Sequence, residues 1–128
     1  MFIQCVITGL VLSNHHIMQP ITWSDFEKID IRAGTIIEAN EFSKARKAAY
    51  KLTIDFGELG IKRSSAQITK FYLLDDLVGQ QVIAVVNFPP KQIADFTSEC
   101  LVLGIYDENK DVVLIQPKHS VSNGLKIG

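Results

Sequence analysis

Cysteine, tryptophan and histidine are scarce in this 128-residue chain, which contains two, one and three of them. Two cysteines, Cys5 and Cys100, are too few for the disulfide framework of a small secreted domain. Cys100 begins an apolar run, so we expect it to be a small core residue. The near-absence of cysteine therefore favours a reducing compartment, and we expect a cytoplasmic protein.

Long hydrophobic runs are also missing. No segment approaches the roughly 18 apolar residues of a membrane span, so we expect no membrane insertion. Residues 1–17 contain a short apolar stretch without a preceding Lys or Arg and without an A-x-A-like cleavage site, which makes a poor signal peptide. A second methionine, Met18, precedes the first convincing element. We expect residues 1–17 to be a doubtful N-terminal extension and residues 18–128 to be a single domain.

The motifs of common enzymes are absent as well. No Gly-rich phosphate loop or G-x-S-x-G elbow is present, and Ser64, Ser65 and Ser98 lack a credible histidine partner. His15 and His16 are adjacent, so their side chains diverge, and the only other histidine is His119. We therefore expect no catalytic residues, no metal site, no cofactor and no enzymatic activity.

What the chain does have is a basic middle between acidic ends. Residues 42–74 carry seven basic and two acidic side chains, although the net charge of the whole chain is −1. This pattern favours a local site for an anion or an acidic partner. A solvated strand face is the alternative that charge alone leaves open.

Short apolar runs with turn signals between them predict an all-β fold. Five to six strands are expected, beginning near residues 30, 49, 61, 80, 100 and 112. One short helix falls between the third and fourth strands, and another, capped by Thr22 with Asp25 three residues later, opens the domain. Gly34 suggests a bulge or sharp bend in the first strand. This order predicts an OB-fold barrel, and the lone internal helix favours it over a sandwich.

Basic and aromatic residues are mixed in the middle of the chain. Lys44, Arg46, Lys47 and Lys51 lie close to Tyr50 in sequence. Cations that meet phosphate and rings that stack on bases are typical of RNA-binding barrels, but they are equally ordinary in other soluble barrels. For Tyr50, and likewise for Phe71, we expect a core position rather than a stacking platform.

The segment 87–99, NFPPKQIADFTSE, separates two strand-like runs. Proline lacks a backbone donor and fixes its own φ, so the preceding strand should end near Phe88. A connection of about a dozen residues more often forms a functional surface than a simple turn. We therefore expect part of the binding site here.

Four stretches carry a family resemblance: FEKIDIRAGTI, FSKARKAAYKLTIDFGELGIKRSSAQIT, LVGQQVIAVVNFPPKQIADFTSECLVLG and the closing SNGLKIG. Together they cover about residues 23–128, and they resemble the CsaA-type export chaperones of the wider tRNA-binding-domain family. The resemblance implies an OB barrel and a homodimer built by the flanking helix at 22–29 and the C-terminal tail at 121–128. It also implies binding of unfolded or precursor polypeptides for secretion, without nucleotide or metal.

The chain departs from the RNA-binding members of that family in one place. Those members usually carry an Asn-Leu-x-Pro-Arg-Lys segment followed by Ser-x-Gly-Met, where this chain has Asn-Phe-Pro-Pro-Lys-Gln at 87–92 and Ser-Glu-Cys-Leu at 98–101. One basic residue is lost, and each lost phosphate contact weakens RNA affinity. The loop therefore resembles a family binding loop whose preferred ligand has changed from RNA to polypeptide. A dimer-contact role is the alternative.

These observations together predict a non-enzymatic homodimeric chaperone for polypeptides, with a tRNA-binding or structured-RNA-binding module as the alternative. The predicted site joins the basic connection to the Pro-Pro loop. Its residues are Lys44, Arg46, Lys47, Arg63, Phe88, Lys91, Ile93 and Ser98.

Overall fold

The computed structural model describes residues 18–128, which form short β-strands and two short α-helices. The expectations for residues 1–17, including His15, His16 and Cys5, lie outside this range. The helices are α1 (Trp23–Glu27) and α2 (Leu74–Leu77), and a 3₁₀ turn spans Gly57–Leu59. The strands are β1 (Ile31–Glu41), β2 (Tyr50–Asp55), β3 (Ile61–Ala66), β4 (Gln81–Val85), β5 (Lys91–Ile93), β6 (Phe96–Ser98), β7 (Leu101–Val102), β8 (Gly104–Tyr106) and β9 (Val112–Leu114).

Five of these strands make one antiparallel sheet in the order β3-β2-β1-β4-β7, and β5-β6 and β8-β9 form two separate hairpins. The long strand β1 changes partner along its length. Residues 31–35 pair with β4, and residues 35–41 pair with β2. This change of partner lets the sheet curl on itself, which gives the nearly closed barrel of an OB-fold and confirms the predicted fold class.

The free edge of β3 meets the segment that follows β6. The N–H of Glu99 donates to the carbonyl oxygen of Arg63 over 2.7 Å, and the hydroxyl of Ser64 donates to the carbonyl oxygen of Cys100 over 2.9 Å. The hydroxyl of Ser98 accepts from the N–H of Ser65. Side chains thus replace part of a strand ladder at the seam of the barrel.

The main core lies inside this barrel. Tyr50, Leu52 and Ile54 alternate inward along β2, as the sequence pattern predicts, and each is at most 6% exposed. Cys100 is also buried in this core, as expected. Phe71 is not buried. Half of its surface is exposed, so its predicted core position is wrong.

Gly34 is required by close packing rather than by a bulge. A Cβ added there would lie 2.7 Å from Ile54 Cγ2 and from the ring of Phe56. The irregularity in β1 falls slightly later, between Ile36 and Glu38. The small residue therefore lets the inner side chains of β2 cross under β1.

The C-terminal tail lies against the barrel, whereas α1, at the other end of the described chain, buries none of its residues. Thr22 and Asp25 cap α1 reciprocally, as predicted. The tail at 121–127 pairs with the start of β1, where the N–H of Ala33 donates to the carbonyl oxygen of Leu125 over 3.0 Å. Side chains of Thr35 and Gln81 bond to residues 121–123 and hold the tail in register.

Two regions differ from the strands that the sequence predicts. The run at 100–106, expected as one strand, breaks at Leu103, so that β7 pairs with β4 and β8 pairs with β9. The connection at 87–99, for which the sequence predicts no strand, contains the hairpin β5-β6. These short pairings raise the strand count above the predicted five to six. A two- or three-residue strand has too little alternation to be recognised in the sequence.

Candidate binding site

The basic groove is a concavity of about 870 Å³ between the connection that joins β1 to β2 and the hairpin β5-β6. Four exposed cationic side chains line it, together with the partly buried side chain of Ile93. The cations are Lys44, Arg46, Lys47 and Lys91. Because these residues come from two distant segments, the fold creates a concentration of positive charge that neither segment has alone.

One of these cations is already paired. Lys44 Nζ lies 2.8 Å from Asp95 Oδ2, and Asp95 stands in the turn of the β5-β6 hairpin. The hydrogen bond and charge of Lys44 hold the pKa of the Asp95 carboxyl below its ordinary value. Both side chains are more than half exposed, so we assign this pair a local electrostatic role rather than a large effect on stability.

The apolar groove is a smaller concavity of about 300 Å³ on the other side of Lys91. Phe88, Pro89, Cys100 and Leu101 contribute most of its wall. The side chains of Phe88 and Leu101 are 54% and 48% exposed, so they can contact a ligand without rearrangement of the core. Lys91 lines both grooves, so the two are adjacent, and together they form the candidate site.

A second hydrophobic cluster lies beneath the β5-β6 hairpin. Phe42, Ala49 and Phe96 are buried there, and Ile93 packs against them. The guanidinium of Arg63 stands over the Phe96 ring at 4.3 Å from its centroid, and the ammonium of Lys51 lies 5.0 Å from the centroid of Phe42. These contacts hold the hairpin that separates the two grooves.

The Pro-Pro loop is also tied to α1. The side-chain oxygen of Asn87 accepts from the N–H of Asp30 over 3.0 Å, and its amide donates to the carbonyl oxygen of Lys28 over 2.7 Å. The carbonyl oxygen of Asp30 accepts from the N–H of Val86. The end of β4 and the end of α1 are therefore fixed together, which positions Phe88 at the mouth of the apolar groove.

Comparison with known proteins places this site in a family. The family model described as "Putative tRNA binding domain" matches residues 31–126. The crystal structure of the chaperone CsaA from Bacillus anthracis is 55% identical and superimposes with a TM-score of 0.82 over 86% of this chain and all of that one. That of CsaA from Picrophilus torridus is 53% identical, with a TM-score of 0.80 over 85% of this chain and all of that one.

The chain belongs to the CsaA type of the tRNA-binding-domain family. A curated relative, the methionine–tRNA ligase of Porphyromonas gingivalis, is 34% identical over 87% of this chain. The chain spans only 16% of the length of that ligase. The likeness to the ligase therefore concerns one domain of it.

The CsaA-type fold brings together most of the predicted site residues. Lys44, Arg46, Lys47 and Ile93 line the basic groove, and Lys91 lines both grooves. Phe88 and Ser98 line the apolar groove. Arg63, on β3, lines neither groove, and its guanidinium covers the ring of Phe96 on β6.

Sequence reasoning missed two acidic residues at this site, Asp95 and Glu99. Asp95 bonds to Lys44, and Glu99 lines the apolar groove. The hairpin that positions them was not recognised. The turn residues Ala94 and Asp95 are not one of the Asn-Gly, Asp-Gly or Gly-x pairs that mark a two-residue hairpin turn, and each flanking strand has one apolar residue, so the sequence carries little signal of this hairpin.

The groups available at the site suit binding better than covalent chemistry. Burial raises the pKa of the Cys100 thiol to about 12, so the thiolate form is scarce at neutral pH. Ser64 is buried and donates its hydroxyl hydrogen to a backbone carbonyl. Within residues 18–128, no three His, Cys, Asp or Glu side chains converge to hold a metal ion, and no helix is long and apolar enough to cross a membrane.

Proposed function

We propose that this chain is a non-enzymatic, homodimeric, cytoplasmic chaperone that binds unfolded or precursor polypeptides for export. The observation that carries the proposal is the junction of an apolar and a basic groove at Lys91. Sequence identity of 53–55% over the aligned residues to two crystal structures of the chaperone CsaA supports it. Binding of tRNA or another structured RNA is the second candidate.

The apolar groove suits side chains that a folded protein would bury and an unfolded one exposes. Phe88 precedes Pro89 and Pro90, whose fixed φ angles restrict the loop, so little conformational entropy is lost when a ligand contacts the ring. Covering the exposed half of a Phe side chain contributes about 1–1.5 kcal/mol. The groove is open and has few polar groups, so it accepts apolar side chains of several shapes.

The basic groove suits the backbone carbonyls and acidic side chains of the same client. Arg46, Lys47 and Lys91 are exposed, and the free N–H groups of their side chains can reach different acceptors along an extended chain. Such contacts depend on ionic strength, whereas contacts to Phe88 do not. A client that spans both grooves therefore has a salt-sensitive and a salt-insensitive part to its affinity.

The RNA candidate rests on the same cations and on the family model. Phosphates would bind in the basic groove, and bases would need an accessible ring. Phe96 is only 2% exposed and is covered by Arg63, so it offers no stacking surface. Phe88 is the accessible ring next to the cations, which leaves one stacking position where single-strand binders use several. This favours polypeptide over RNA.

Exposed apolar residues in and beside α1 and in the C-terminal tail support the homodimer. Helix α1 buries none of its own residues, and Trp23 is 65% exposed. Ile21, Ile29, Leu125 and Ile127 are also exposed, on the chain flanking α1 and on the tail. Two-fold pairing of such a surface is the commonest way to cover it. Light scattering should give twice the chain mass at micromolar concentration, and a monomer would contradict the assembly.

The proposed domain is residues 18–128, with residues 1–17 as a dispensable extension. A protein that begins at Met18 should keep its melting temperature and its dimeric state. Since about 1 kcal/mol corresponds to several degrees in a domain of this size, a fall of several degrees would contradict dispensability.

A side-by-side titration tests the choice of ligand. Binding of a chemically denatured polypeptide and of tRNA should be measured across a salt series for the unmodified protein and for Arg46→Ala and Lys91→Ala. We expect tighter binding of polypeptide, with a salt-sensitive loss in both variants. If both variants bind polypeptide normally but lose tRNA, the RNA candidate is the correct one.

A further inference from the structure

Two carboxylates are fixed at the rim of a site whose other charged groups are basic. Asp95 is held by Lys44 at 2.8 Å. Glu99 Oε1 accepts from the backbone N–H of Arg63 at 2.9 Å. Neither carboxylate belongs to the hydrophobic core.

Glu99 is held in place from two directions. Its own N–H donates to the carbonyl oxygen of Arg63, while its side chain accepts from the N–H of the same residue. Swinging the carboxylate away would give up this hydrogen bond at the seam of the barrel. The negative charge therefore stays in the wall of the apolar groove, beside Lys91.

Asp95 acts on the other groove. It occupies the ammonium of Lys44, one of the four cations of the basic groove, and adds a negative charge at the hairpin turn. A phosphate that approached Lys44 would have to displace this carboxylate. The backbone of a polypeptide is neutral and is not repelled by either group, whereas every nucleotide of an RNA brings a charge.

We propose that Asp95 and Glu99 are specificity-determining residues that bias the site against nucleic acid. They reduce the attraction of the basic groove for polyanions and leave the donors of Arg46, Lys47 and Lys91 available to uncharged chains. This inference uses the site of the proposed function but does not depend on polypeptide binding, because it concerns the affinity for RNA alone.

Isosteric neutral variants test the proposal. Asp95→Asn should release Lys44 for a phosphate, and Glu99→Gln should remove a charge while its amide oxygen still accepts from the N–H of Arg63. Binding of a deacylated tRNA should be measured across a salt series. We expect each variant to bind about threefold more tightly, and Asp95→Asn to steepen the log–log salt dependence by roughly 0.7–0.9, the value of one additional phosphate contact.

Glu108→Gln provides the matched control, since Glu108 is exposed in the turn between β8 and β9, outside both grooves. This change raises the net charge by the same amount, so an equal gain in tRNA affinity would show a general charge effect and overturn the proposal. Unchanged tRNA affinity in both site variants would overturn it as well. If Glu99→Gln disturbs folding, Asp95→Asn on the exposed hairpin turn decides the matter.

A parallel titration with denatured polypeptide separates this inference from the proposed function. If neither the unmodified protein nor any of the variants binds polypeptide, the chaperone function is rejected. The tRNA comparison would still decide the role of the two carboxylates.

Discussion

Replacing Phe96 with leucine tests how the β5-β6 hairpin is held over the second hydrophobic cluster. Leucine keeps an apolar side chain there but removes the aromatic ring. The ring of Phe96 lies 5.3 Å from that of Phe42 at 56°, an edge-tilted pair of the kind that contributes about 0.5–1.5 kcal/mol. Arg63 and Lys51 lie 4.3 and 5.7 Å from its centroid, and each exposed cation–π contact adds about 0.5–1 kcal/mol.

These terms predict a loss of about 2 kcal/mol in the free energy of unfolding for Phe96→Leu. Phe96→Ala also removes most of the buried volume and should cost about 3–5 kcal/mol. Urea unfolding followed by circular dichroism measures both, at one fixed protein concentration, because the stability of a dimer depends on concentration.

A double-mutant cycle isolates the ring from the volume. Arg63→Ala should cost about 0.5–1 kcal/mol when residue 96 is phenylalanine and close to nothing when it is leucine. Equal costs in the two backgrounds would refute the cation–π contact. A loss in Phe96→Leu as large as that in Phe96→Ala would show that the ring contributes only through its volume.

Three further perturbations follow from local geometry. Ala94→Gly should stabilise the protein by about 0.5 kcal/mol in thermal unfolding. Ala94 has a φ of 52°, and the steric free energy that alanine loses in this conformation exceeds the extra chain entropy that glycine loses on folding. Destabilisation would contradict this. Gly34→Ala should destabilise by about 1–3 kcal/mol in urea, because its Cβ would meet the Phe56 ring, and an unchanged midpoint would contradict the packing. The hydrogen bond from Arg32 lowers the pKa of Asp30 in the folded protein, so this pair stabilises the fold above the unfolded pKa of about 3.9, and the contribution is lost as pH falls through the lower folded pKa. Asp30→Asn should flatten that part of the acid-stability curve, and an unaltered slope would contradict the assignment.

Long, regular features of the chain could be predicted from the sequence. The alternation along β2 identified Tyr50, Leu52 and Ile54 as core, and the capping pair identified the start of α1. These features depend on neighbouring residues, so a single sequence contains their whole signal. The OB topology followed from the order of the elements and from the position of α2.

The candidate site could be predicted only in part, because its shape depends on contacts between distant segments. The sequence predicts that the cations near residue 45 and the Pro-Pro loop form one site, but it does not show how the two segments meet. Their junction at Lys91 depends on the fold of the β5-β6 hairpin, which has only three residues a strand. Arg63 shows the same limit: its charge predicted a ligand contact, whereas its guanidinium stacks on Phe96. The exposure of Phe71 likewise depends on which way a turn faces.

The most direct test of the central claim compares two exposed phenylalanines. Phe88, 54% exposed, lines the apolar groove, whereas Phe71, 50% exposed, lies before α2 and outside both grooves. Fluorescence anisotropy with a labelled, unfolded polypeptide should show that Phe88→Ala weakens binding about tenfold at every salt concentration, the equivalent of roughly 1.4 kcal/mol. Phe71→Ala should bind like the unmodified protein. Equal affinities for the two variants, or a loss in Phe88→Ala that disappears at high salt, would contradict a polypeptide site built on the apolar groove.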